Sequence, residues 1–351
     1  VLNLRIVRGP LTAAESEVIL REYNRLTNSR IPMDEYLNWV ERSPAGPAWH
    51  ALLETDDGRA VGHTCLFPFP TQFDARPLIP AKSEYSFMLE DFRKEKIAGY
   101  EKAARATFVV MLDELFQRGH KENWGPIFAS TNDKNQAFTR RIGLQPAEYA
   151  VWECLYVMRP INASRHTPNL SEKQRLALMA AGASHRALWM ATQVVSFGRN
   201  GVHSTEVSTP IATPETNRLA FFEDTPSMKW RYLEGQYVRL ATSDESSSYV
   251  IAKKGSSDRY LRVCQWKIED EKSIRAFALA LLKEARREGA MGVRWAVYED
   301  NAEGKAILRQ LKRMGFLSAQ RQRIVMVHKK DPEFLPATAW KMNDSLFSFD
   351  P

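Results

Sequence analysis

The sequence predicts a mixed α/β chain in which one structural unit is written twice, and three observations carry that expectation. Residues 48–144 and 249–316 follow one order: strand, strand, long amphipathic helix, glycine, strand, Asn-capped helix, then glycine and an apolar residue. The landmarks are Gly119, Thr131-Asn132-Asp133 and Gly143-Leu144 in the first copy, and Gly289, Asp300-Asn301-Ala302 and Gly315-Phe316 in the second. Strands joined by turn residues alternate with helices of 3.6-residue period, the pattern of a mixed, mostly antiparallel sheet flanked by helices. No GxGxxG and no Walker loop occurs, which removes the nucleotide folds those motifs mark.

Each element has a local cause. Residues 12–26 read as a helix with Thr12 as cap, and 33–40 as a second, short one. Strands at 49–54 and 61–69 are joined by Asp56-Asp57-Gly58, and a further strand covers 83–89. A long helix is expected at 97–118, closed by Gly119. Then come a strand at 126–130, a helix capped by Asn132 or Asp133 to Arg141, and a central strand at 149–158 stopped by Pro160. Ser171 caps a helix reaching 197, and the Ser-, Thr-, Pro- and Gly-rich run 198–216 reads as linker. The second half offers strands at 237–241, 249–253 and 260–268, a helix at 273–287, strands at 292–298 and 323–328, and an aromatic tail at 340–349. Three segments follow: a first domain 1–160, a helical linker 161–216 and a second domain 217–351.

The chain of 351 residues has room for two cores. Its 49 basic and 42 acidic residues leave a formal charge of +7, spread without a nucleic-acid tail. A phosphate-bearing small molecule satisfies that bias, and no nucleic acid is expected. Cys65, Cys154 and Cys264 are too far apart for a disulfide framework or a zinc motif, and seven histidines are scattered without HxxxH or HxH. No metal is expected, no apolar run is long enough to span a bilayer, and a reducing cytoplasm is the natural compartment.

From this point the residues resemble a family. Ala60-Val61-Gly62-His63, the strand Glu84-Tyr85-Ser86-Phe87-Met88-Leu89, the run Asp91-Phe92-Arg93-Lys94-Glu95-Lys96-Ile97-Ala98, and later Asn132 and Arg140-Arg141-Ile142-Gly143-Leu144 resemble the GNAT fold of N-acetyltransferases. In the second half the resemblance rests on 308–316 and on Trp230-Arg231-Tyr232. It implies two GNAT-like domains and transfer of an acyl group from acyl-CoA, such as acetyl-CoA, to an amine or hydroxyl. It also implies that Phe87, Met88 and Leu89 border the pantetheine, with Asn132 touching CoA or substrate. The family's diphosphate turn, Arg/Gln-x-x-Gly-x-Gly/Ala, falls on Arg93, Lys94, Lys96, Ile97 and Ala98. Arg93 and Ala98 fit, Lys96 stands where glycine belongs, and Glu95 repels phosphate. The second half has Glu269-Asp270-Glu271 at the matching place, a poor cradle for an anion, so donor binding is expected in the first half alone.

Acyl transfer needs a proton acceptor for the amine, stabilisation of the oxyanion and a proton for the thiolate. Glu84 is the candidate base, or else a strand-edge carboxylate in a salt bridge. Tyr85 or Tyr149 is the candidate acid, or else a core residue. His63 is a base if it faces the cleft. Arg231, with Trp230 as a wall, binds an acidic substrate group or else anchors the packing. The leading reading is a transferase acting on a small molecule such as an amino sugar or amino acid derivative, with a homodimer compatible. The alternatives are a Fem-like transferase, with aminoacyl-tRNA as donor, and a GNAT-like binding protein without catalysis.

Overall fold

A reciprocal pair of hydrogen bonds starts the first helix: Thr12 Oγ1 accepts the Glu15 N–H at 3.3 Å, and the Glu15 carboxylate accepts the Thr12 N–H at 2.8 Å. Comparable local signals set the other elements of the structure, a computed structural model. It describes residues 1–73, 76–102, 106–131, 140–166, 171–195, 201–205, 207, 220–221, 224–243, 248–255, 259–298 and 302–336. The strands are β1 (Asn3–Arg8), β2 (Trp49–Glu54), β3 (Ala60–Pro68), β4 (Thr71–Phe73), β5 (Arg76–Leu78), β6 (Ala81–Met88), β7 (Ile127–Thr131) and β8 (Leu144–Val157). There follow β9 (Val202–Thr205), β10 (Ala220–Phe221), β11 (Tyr237–Thr242), β12 (Tyr249–Lys253), β13 (Leu261–Lys267), β14 (Gly292–Tyr298) and β15 (Leu317–His328). The helices are α1 (Ala13–Thr27), α2 (Met33–Glu41), α3 (Thr107–Lys121), α4 (Pro160–His166), α5 (Glu172–Val195), α6 (Thr225–Arg231), α7 (Glu271–Arg287) and α8 (Ala302–Arg313).

The chain divides into two units that interleave along the sequence. The first comprises Val1–Glu148, Thr213–Arg231 and Arg323–Lys341; the second comprises Tyr149–Ala212, Tyr232–Gln322 and Met342–Pro351. The three sequential segments expected above therefore map on to them only in part.

In the first unit the sheet order is β1-β2-β3-β6-β7-β15. Every neighbouring pair is antiparallel except β6 and β7. Helix α3 covers one face, burying Met111, Leu112, Leu115 and Phe116 in a core with Leu66, Ile127, Ala129 and Met326. Each such side chain contributes about 1.5–3 kcal/mol by leaving water. A small second sheet, β10-β4-β5, belongs to the same unit.

The second unit repeats this order as β9-β11-β12-β13-β14-β8, again antiparallel except for β13 and β14. Helix α7 occupies the place of α3, with Ile274, Phe277, Leu281 and Leu282 packed on Val250, Val263 and Val293. The duplication read from the sequence is real. Each sheet takes its last strand from the opposite half of the sequence: β15 completes the first, and the Tyr149-onward part of β8 completes the second.

Two local expectations are corrected. The long helix begins at Thr107, ten residues late. Ile97 is 1% exposed in the core, and the Leu2 N–H bonds to Lys96 O at 2.7 Å while the Ala98 N–H bonds to Leu2 O at 2.8 Å, so this stretch lies as extended chain beside the N-terminus. Gly119 lies within α3 and does not end it; a Cβ there would meet Leu66 Cδ2 at 2.7 Å, so glycine brings the helix close to the sheet. The helix expected before Arg141 and the aromatic tail fall almost wholly outside the described residues.

The close passage of β14 against β8 gives a test. A Cβ on Gly292 would lie 1.9 Å from the Tyr156 carbonyl oxygen, a backbone atom that cannot turn away. Gly292→Ala is expected to lower stability by at least about 2 kcal/mol in urea unfolding followed by tryptophan fluorescence. An unchanged midpoint would contradict the register of β8.

Candidate active site

Strand β6 is paired with β3 as far as Met88 but stays with β7 only at Ala81 and Lys82. Beyond Lys82 the two parallel strands separate, and among the described residues no strand pairs with the β7-facing edge of β6. A bulge lies within this stretch. On β3, Thr64 alone stands between His63 and Cys65, while Tyr85 and Ser86 stand between Glu84 and Phe87 on β6. The extra residue takes a left-handed backbone at Tyr85, φ 51°. For a tyrosine that conformation costs about 1–2 kcal/mol and persists only where surroundings enforce it.

The enforcing contacts are specific. The Tyr85 ring is 1% exposed and meets Tyr36 edge-on at 5.0 Å and Tyr23 at 5.2 Å, fixing it against α1 and α2. Its carbonyl lies 3.0 Å from His63 Nδ1. A carbonyl only accepts, so Nδ1 carries the proton. Burial pushes the His63 pKa down to about 4, so the ring is neutral and its Nε2 is an acceptor. Nε2 sits 3.1 Å from His50 Nδ1, which must then be the donor. His50 is likewise held well below its usual value, first by burial and then by His63. His63 is wholly buried with both nitrogens engaged, so it positions the bulge and does not face the cleft.

Glu84 receives the Lys82 ammonium at 2.5 Å, where the Lys82 side chain is 1% exposed and that of Glu84 is 20% exposed. Two residues apart on a strand, both point to one face. The acid is the reachable member of the pair. Tyr85, by contrast, is an unsuitable proton donor: burial raises its phenol well above the usual value. The Tyr149 side chain and Asn132 lie outside the described residues.

Past β6, Phe87 packs on the His63 ring at 6.1 Å, Met88 lies at the core edge, and the Leu89 N–H bonds to Val61 O at 2.9 Å. The expected diphosphate turn is corrected at this point. The N–H groups of Arg93, Glu95 and Ala98 bond to the carbonyls of Glu90, Phe92 and Leu2, so they do not form a cradle. Lys94 and Lys96 are exposed on this loop, and Ile97 is core. The helix N-terminus that follows β6 is that of α3 at Thr107. Ala106 is its N-cap, no side chain among the described residues caps it, and its first turn holds no acid. An uncapped N-terminus directs N–H groups and the positive end of the helix dipole outward. The sequence signal was the run of small residues Ala103, Ala104 and Ala106 around Arg105, just before the apolar period of α3 starts.

The second unit has the same opening but different chemistry. β13 and β14 pair only at Leu261, Arg262 and Val263, yet Trp266 then stacks on Tyr298 with centroids 6.4 Å apart. Asp270 caps α7 by accepting the Lys272 N–H at 3.0 Å, Glu271 sits in the first turn, and Glu303 accepts the Ile268 N–H at 2.8 Å. Carboxylates already hold the place an anion would take.

Trp230 and Arg231 are both in the first unit. Trp230 Nε1 donates to Asn38 O at 2.8 Å, and Asn38 Nδ2 donates to Trp230 O at 2.6 Å. Arg231 is 6% exposed, with its guanidinium 4.9 Å from the Trp39 ring. These contacts tie α6 to α2.

Searches of known structures return the same architecture. Yeast N-myristoyltransferase with bound myristoyl-CoA matches over 93% of this chain and 79% of its own, at 9% identity and TM-score 0.55. A GCN5-related N-acetyltransferase from Anabaena variabilis matches over 92% and 72%, at 11% identity and TM-score 0.50. The chain has the tandem GNAT fold. No protein-family model and no curated protein sequence matches it. In both units a pair of parallel strands separates after two or three residue pairs, and among the described residues a carboxylate caps the following helix only in the second. Among the described residues no helix is long and apolar enough to cross a membrane.

The buried histidine predicts a pH response. The folded His63 pKa of about 4 lies below the unfolded value of 6.5, so its contribution is complete above 6.5 and is lost as pH falls towards 4. The loss approaches about 3 kcal/mol across that window. His63→Gln is expected to be less stable at neutral pH but to show a shallower fall in urea midpoint between pH 6.5 and 4. Equal slopes would contradict a neutral buried His63.

Proposed function

We propose that the first unit is an acyltransferase that takes acyl-CoA along the open edge of β6 and passes the acyl group to an amine or hydroxyl of a small molecule. The observation that carries this reading is one continuous feature: strands that separate after Lys82, a bulge at Tyr85, and an uncapped helix N-terminus at Thr107. The pantetheine amides match the unpaired strand edge, and the diphosphate matches the end of α3. The solved neighbours, an N-myristoyltransferase and an N-acetyltransferase, support the same chemistry.

In this mechanism the neutral amine attacks the thioester carbonyl. Backbone N–H groups of the bulged β6 edge stabilise the oxyanion in a site where the donors are already fixed. Glu84 accepts the proton that the amine loses, with Lys82 holding the carboxylate in place. The tetrahedral intermediate then expels the thiolate, which takes up a proton as the acyl product leaves. The second unit takes no CoA in this reading, because its helix is capped by its own Asp270.

Two variants test it. Ala106→Asp gives α3 a carboxylate cap and sets a charge against the diphosphate. Calorimetry with acetyl-CoA and myristoyl-CoA is expected to show binding to the wild type and at least tenfold weaker binding to the variant, about 1.4 kcal/mol, with stability unchanged or raised. Equal binding would move the diphosphate elsewhere, and no wild-type binding would overturn the reading. Glu84→Gln is expected to leave acyl-CoA affinity unchanged and to lower kcat about 100-fold or more in a thiol-release assay with a responsive amine. A kcat near that of wild type would remove Glu84 as base.

A further inference from the structure

At the far end of α3 from its N-terminus, roughly 20 Å away by helix rise, three potential ligands converge with no part in acyl transfer. They are His120 in the last turn of α3, His328 at the end of β15, and Asp331 in the turn that follows. One donor atom from each lies within 4.8 Å of the other two. His120 Nε2 and His328 Nδ1 are 3.1 Å apart. His120 Nε2 is the ring nitrogen directed at His328. The Lys330 N–H points at His328 Nδ1 from 3.4 Å, which marks that nitrogen as the one carrying the lone pair. Two ring nitrogens facing each other at 3.1 Å are bridged either by a hydrogen bond between them or by a cation that both bind.

Asp331 adds the negative charge. Its side chain is 9% exposed, and Oδ2 accepts the Ile127 N–H at 3.1 Å, the one hydrogen bond to that side chain among the described residues. A buried carboxylate with a single donor is undersatisfied.

We propose that His120, His328 and Asp331 bind one divalent transition-metal ion, with zinc favoured by the donor set. With Zn–N bonds of about 2.0–2.1 Å, nitrogens 3.1 Å apart subtend about 100° at the metal, near the tetrahedral angle. A cavity of about 210 Å³ lies beside both rings and leaves room for a water as fourth ligand. Arg141, Lys329 and Lys330 line that cavity, but all three are exposed, so solvent screens their charge. The ion would fasten β15, which comes from the far half of the sequence, to the helix that forms the core of the first unit.

The test uses the full, untagged chain, stripped with a chelator and titrated with zinc chloride by calorimetry and with cobalt chloride by visible absorption. The expected results are one equivalent bound, tetrahedral cobalt bands, and a zinc-dependent rise in Tm. His120→Asn and Asp331→Asn are each expected to weaken zinc binding at least tenfold, with circular dichroism confirming that both variants fold. Absence of zinc binding and of a Tm change in the wild type would overturn the site, leaving a shared proton between the imidazoles. Zinc binding undiminished in a folded double variant would overturn it equally, by placing the ion elsewhere.

Discussion

The separation of β6 from β7 depends on the backbone of one residue. Held left-handed at Tyr85, β6 carries one residue more than β3 across the bulge, which bends the strand and increases its twist. A bent strand cannot follow a straight neighbour, so pairing with β7 ends at Lys82 and main-chain groups are left for a ligand. The hydrogen bond from His63 and the tyrosines of α1 and α2 oppose the strain. The aromatic layer beneath β6 is therefore part of the site's construction even though none of it need touch a substrate.

Duplication produced two openings, and local electrostatics distinguishes them. The first unit leaves a helix end without a cap, a small loss of stability by the usual measure of helix capping. The second satisfies its own helix with Asp270 and closes the gap between strands with Trp266 against Tyr298. A fold can keep the shape of an anion site and lose its chemistry through a few carboxylates.

Much of this was legible in the sequence. The two-copy pattern, the hairpins, the Thr12 and Ser171 caps, and the acidic turn of the second unit all depend on neighbours within a few residues. What stayed hidden depends on distant partners. Ile97 has the apolar character of a helix start, and only its pairing beside Leu2 shows otherwise. No local signal marks a tyrosine for φ above zero, since the forces that hold it come from residues 23, 36 and 63. His50 and His63 were partly readable: pairing β2 with β3 puts Leu52 opposite His63 and His50 opposite Cys65, so the two rings share a face. His120 and His328, 208 positions apart, were not readable at all.

The exchange of end strands has a consequence for how the chain is born. The first unit contains nearly all of its sheet by Glu148, yet the part of β15 that belongs to it begins only at Arg323. At roughly 5–20 residues per second, a ribosome takes on the order of 10–30 s to deliver that strand. Throughout that interval β7 is an edge with unpaired N–H and C=O groups, a template for the wrong partner. Nascent chains of this architecture have to be shielded from one another until β15 has been made.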